Sequence, residues 1–169
     1  MSVAFEDLDG GLVLSAFHVR EGPIVLGHYL DDVEDDLEDN SFSLIKFTSL
    51  PTGQDFLKSG FNVYQLTEEL IAISVYHYKE KMPSNENINM VALTYVTSNI
   101  PNVSALQLIL VDFLKKILTE KPELGNKDWA KEKMEHFTEL IKSGDIKTPE
   151  EIPRTVNQMY NLFEFLSSS

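Results

Sequence analysis

The sequence predicts an α+β domain in which a five-stranded antiparallel sheet is followed by helices. Three observations lead there. Two apolar runs, Leu12 to Val19 and Ile24 to Leu30, flank the turn Arg20-Glu21-Gly22-Pro23. Three more strand-like runs follow, Phe61 to Leu66, Leu70 to Lys79 and Ile88 to Thr97. Beyond Asn102 the apolar period lengthens from that of a strand to that of a helix.

The first two runs are rich in Val, Leu, Ile and aromatics, the composition of strands. Gly22 can take positive φ without a Cβ clash, so the chain can reverse there. Pro23, with fixed φ and no N–H, suits the first residue of a strand. Val13, Phe17 and Val19 point to one side of the first strand, and Leu12, Leu14 and Ala16 to the other. A strand apolar on both sides is expected to be covered on both sides.

The acidic stretch Asp31 to Asn40 follows, with Val33 and Leu37 one helical turn apart. A helix is expected within Val33–Leu50, although Phe42 to Phe47 also reads as a short strand; Pro51-Thr52-Gly53 ends the segment. Phe61 to Leu66 and Leu70 to Lys79 are joined through Thr67-Glu68-Glu69, a link short enough for an antiparallel hairpin. Glu80 to Asn87 carries turn residues before the strand Ile88 to Thr97.

Asn102 is the expected N-cap of a helix reaching about Lys121, whose stripe is Val103, Leu106, Leu110, Phe113, Leu114 and Ile117. Pro122 and Gly125 end it. Asn126 is expected to cap a second helix, Lys127 to Lys142, with Ala130, Met134, Phe137 and Ile141 on one face and Ser143-Gly144 as its stop. Thr148-Pro149-Glu150-Glu151 forms a capping box for a third helix, unless Pro153 starts its regular part. Ile152, Val156, Met159, Phe163 and Leu166 make a sharp stripe expected to fold back on the domain. The division expected is therefore a domain over 1–145 and an amphipathic C-terminal helix over 146–169 packed on it.

Composition narrows the function classes. A length of 169 residues suits one domain, and 43% hydrophobic with 24% charged residues is ordinary for a soluble globular chain. There is no cysteine, so disulfides and thiolate metal sites are excluded. A formal net charge of −13 disfavours docking on nucleic acid or an anionic membrane. No apolar run is long enough to cross a bilayer, and MSVAFEDLDGG lacks the basic start of a signal peptide.

The order strand, strand, helix, strand, strand, strand, helices, together with Phe17-His18-Val19-Arg20-Glu21-Gly22-Pro23-Ile24-Val25, resembles the longin domain. The likeness is to longin-like domains of trafficking and nutrient-signalling regulators, such as nitrogen permease regulator-like proteins and folliculin, and it covers roughly Gly11 to Lys142. The long acidic insert and the extra C-terminal helix depart from the simplest pattern. The resemblance implies a longin/profilin-like α-β-α sandwich, with helices on both faces of a five-stranded antiparallel sheet. It implies a non-enzymatic, cytoplasmic adaptor or subunit that regulates or recruits small GTPases at membrane surfaces. Its partners would be a small GTPase or another longin-like or roadblock-like chain, in a homo- or heterodimer. It also implies that the second and third strands are the sheet edges. Partner contacts are then expected from Ile24, Leu26 and His28 on one edge, from Phe61, Val63 and Gln65 on the other, and from Arg20 at the hairpin tip.

No other chemistry stands out. The histidines are His18, His28, His77 and His136; His18 and His28 share the hairpin but have no evident third ligand. The run Asp31 to Asp39 lacks the spacing of a calcium loop and reads as a solvated face or a lure for a basic partner. Nucleotide-cradling glycine motifs and paired nucleophile–base spacings are missing, so no catalytic residue, cofactor or metal is expected. Arg20 has the projecting position an arginine finger needs, or is an ordinary turn residue. The competing expectation is a GAF- or PAS-type ligand sensor, with His77 or Tyr95 turned into an apolar pocket.

Overall fold

The computed structural model describes residues 8–30, 60–78, 87–99, 102–119 and 126–143. It contains strands β1 (Gly11–His18), β2 (Gly22–Tyr29), β3 (Gly60–Gln65), β4 (Ile71–Tyr78) and β5 (Ile88–Thr97). Helices α1 (Val103–Thr119) and α2 (Lys127–Ser143) follow. The strands form one antiparallel sheet in the order β2-β1-β5-β4-β3. The protein is thus an α+β fold with an open five-stranded antiparallel sheet, and β2 and β3 are its edges. The helix expected within Val33–Leu50 and the one expected after Thr148 lie outside the described residues.

Both helices begin where their caps were expected. Asn102 Oδ1 accepts from the Ala105 N–H at 3.1 Å, and Asn126 Oδ1 accepts from the Trp129 N–H at 3.1 Å. Each satisfies a donor that the first turn leaves without an intrahelical partner. Both helices lie on one face of the sheet, α2 over β1 and β2 and α1 over β4 and β5. The core between them joins Leu12, Leu14 and Ala16 to Val91, Leu93 and Tyr95, and to Leu106, Leu110, Met134 and Ile141. Phe113 and Phe137 stack at 4.2 Å between centroids and 10° between planes, fastening α1 to α2.

The opposite face is just as dry. Val13, Ser15, Ala72, Ser74, Met90, Ala92, Thr94 and Val96 all have 0% exposure. Burial on both sides is what the two-sided apolar pattern of β1 requires. Small polar residues sit at the middle of this second face. Ser74 and Thr94, opposite each other in the β4–β5 ladder, share a hydroxyl hydrogen bond of 2.8 Å. Among the described residues, Ser15 Oγ, Asn89 Oδ1 and Thr138 Oγ1 are buried with no hydrogen-bond partner.

Two bulges shape the sheet. The β1–β2 register steps from Leu14↔Gly27 to Ser15↔Val25, leaving Leu26 as the extra residue. The inserted residue reverses the alternation. Ile24 and Leu26 face the helices before the step, and Gly27 and Tyr29 after it. The second step, from Phe17↔Met90 to His18↔Ile88, leaves Asn89 as the extra residue of β5.

Candidate functional site

With both faces buried, the sheet offers its edges and its hairpin ends. The β1–β2 tip is built by His18, whose Nδ1 accepts from the backbone N–H groups of Arg20 and Glu21, each at 3.2 Å. The Val19 N–H donates to the Asn87 carbonyl at 2.8 Å, tying the tip to the start of β5. Gly22 closes the turn at φ +80°, where a side chain would be strained. Arg20 is therefore held on an anchored and exposed turn, beside Val19 at 51% exposure.

The expected contact residues separate into three groups. Arg20 stands at the tip. On the β2 edge, Ile24 packs partly against the helix-side core, Leu26 is only 7% exposed within it, and His28 is half-buried. The Leu26 side chain thus serves the core, and only its backbone remains for a partner. On the β3 edge, Phe61 packs partly against the core, whereas Val63 is 47% exposed and Gln65 is exposed. The structure does not bring the two edges together, because β1, β5 and β4 lie between them.

The register separates the two histidines of the hairpin. His18 pairs with Gly22, while His28 pairs with Val13, five residues further along β1. At strand rise that is about 17 Å, too far for a shared ion. Among the described residues no group of three or more His, Asp or Glu is placed to hold a metal. Tyr95 is fully buried, and its hydroxyl donates to the Asp9 carbonyl at 3.0 Å, so it tethers the chain before β1 to β5. His77 is 1% exposed.

Sequence reasoning passed over Asp9. Its carboxylate accepts from the Thr97 hydroxyl at 2.5 Å, from the Ser98 N–H at 2.9 Å and from the Ser98 hydroxyl. Burial raises its pKa, but hydrogen bonds from the Ser98 and Thr97 hydroxyls and the Ser98 and Asn99 backbone outweigh that and hold it below the ordinary 3.8. The only signal in the sequence was an acid followed by two glycines, which is common in turns. This cluster pins the start of β1 to the end of β5 and has the character of a structural clasp.

No family model matches the chain, and no curated protein matches it.

Proposed function

We propose that the protein is a non-enzymatic interaction module with a longin-like fold, an adaptor or subunit of a complex that regulates or recruits small GTPases in trafficking or signalling. The observation that carries this reading is the sheet's plan. Both faces are buried, and the second and third strands form two open edges. Within the described sheet, recognition is then left to the edges and to the anchored tip that bears Arg20. The edge positions of β2 and β3 agree with what the longin resemblance implies, and the Gly22-Pro23 turn is part of the motif on which that resemblance rests. Fold alone does not assign a function, so the small-GTPase part of the proposal rests on that resemblance. In this reading the protein works in the cytoplasm and reaches membrane surfaces through its partners. Among the described residues no helix is long and apolar enough to cross a membrane.

The test is binding of the full chain to a panel of purified small GTPases, each loaded with GDP or with a non-hydrolysable GTP analogue. The expected result is binding to at least one member that differs at least tenfold between the two nucleotide states. Equal binding in both states, or none across the panel, would remove the GTPase from the proposal. Arg20→Ala separates two roles for the tip: loss of stimulated hydrolysis with binding retained marks a finger, and loss of binding marks a contact residue.

A further inference from the structure

The two edges are not equivalent. The geometry points to β3 as the edge that takes a partner, and the partner it fits is an extended, basic strand of another protein. This deepens the interaction-module reading and rests on it, but does not depend on the small-GTPase assignment.

The phase of the β3–β4 ladder decides what β3 presents. The Leu66 N–H donates to the Leu70 carbonyl at 2.9 Å, which makes Leu66 and Leu70 a bonded pair at the end of the ladder. Bonded and non-bonded pairs alternate in an antiparallel ladder. Counting back along the register Gln65↔Ile71, Tyr64↔Ala72, Val63↔Ile73, the non-bonded pairs are those of Gln65 and Val63. Their backbone N–H and C=O groups are therefore aimed away from β4, toward the open side of the sheet. Their side chains are exposed as well.

Natural edges are blunted with proline, bulges, charge or brevity. The β2 edge has two of these devices: Pro23 removes a donor, and the bulge at Leu26 breaks the regular spacing. The β3 strand has neither a proline nor a register shift over its ladder from Gly60 to Gln65. It also carries Val63, one of two large apolar side chains strongly exposed among the described residues. An edge left straight, regular and partly apolar is a template for one more strand.

Charge selects the strand. From Gly60 to Tyr78 the β3–β4 hairpin carries Glu68 and Glu69, both exposed, and no lysine or arginine. The chain as a whole carries −13, so a second copy would be repelled where a basic segment would be drawn in. The occupant is a strand that alternates apolar with polar residues, sets an apolar side chain beside Val63 and brings lysine or arginine to Glu68 and Glu69.

The probe is a displayed library of random twelve-residue peptides, selected on the immobilised full chain. Enriched peptides should alternate β-branched residues with lysine or arginine. They should bind Val63→Pro at least tenfold more weakly than the parent. The Val63 N–H is aimed outward, so proline there removes no bond to β4, and the variant should keep its circular dichroism and its melting temperature within a few degrees. A second readout needs no variant: a bound peptide should slow amide exchange at Val63 and Gln65 at least tenfold in the parent chain. The inference is overturned if no peptide is enriched, or if enriched peptides leave those two amides unchanged. It is equally overturned by an acidic consensus, or by a concentration-dependent dimer of the chain that protects the same amides. Failure of the GTPase panel with success here would retain the strand site and discard the GTPase; the reverse would retain a GTPase partner and move its contact away from β3.

Discussion

At Gly27 the packing admits only a hydrogen. A Cβ there would stand 2.6 Å from Ala130 Cβ, 3.1 Å from the Ala130 carbonyl carbon and 3.1 Å from the Lys131 nitrogen. Two of those atoms are helix backbone, so relief requires α2 to move off the sheet. Gly27→Ala is expected to destabilise by about 1–3 kcal/mol, read by denaturant unfolding. Ala130→Gly removes the nearest of those contacts at a helix cost of about 1 kcal/mol, so the double variant should lose less than the two single losses added together. Asp9 makes a different prediction. Its folded pKa lies below 3.8, so its stabilisation is fully present above that value and is lost as pH falls through the folded pKa. Asp9→Asn removes this titration. Melting temperature should therefore fall less steeply with acid in the variant than in the parent.

The elements show what a sequence makes legible. Asn102 and Asn126 were readable as caps because each precedes a stripe of helical period, and both side chains bond as expected. Alanine at either position should cost about 1 kcal/mol, and thermal unfolding of each single variant is the check. Strand β5 was readable to its ends, Ile88 and Thr97, since a turn precedes it and Ser98-Asn99 follows. The two bulges were not readable. A bulge is one residue without a ladder partner; Gly27 hints at a bulge or a close approach, but nothing in the run Ile24-Val25-Leu26-Gly27-His28 marks Leu26 as that residue. Strict alternation would put Gly27 with Val25 on the face away from the helices; the inserted residue turns it under Ala130 instead. Leu26 read as an available edge residue and is a core residue, because it shares with Ile24 the face that the helices cover. The candidate site was legible as two edges and a tip. The inequality of the edges was not, because it depends on the phase of backbone hydrogen bonds and on a bulge.

For the molecule as a whole, charge and topology dominate. A net charge of −13 over 169 residues opposes compaction by self-repulsion. Raising salt from low to physiological ionic strength screens charges more than about 8 Å apart. It should therefore raise the melting temperature by a few degrees, which a calorimetric salt series would read. The same series should weaken the basic-strand contact at β3, so salt is expected to move fold stability and partner affinity in opposite directions.

The strand order also constrains how the chain is made. The first hairpin is synthesised early, yet its inner strand β1 must pair with β5, whose first residue is Ile88. At about 5–20 residues per second, several seconds separate the two events on a ribosome. Throughout that interval a two-sided apolar ribbon, Leu12 to Ala16 on one side of Gly22 and Ile24 to Leu26 on the other, waits with an unfilled ladder. Newly made chains should therefore be clients of a holding chaperone until β5 emerges.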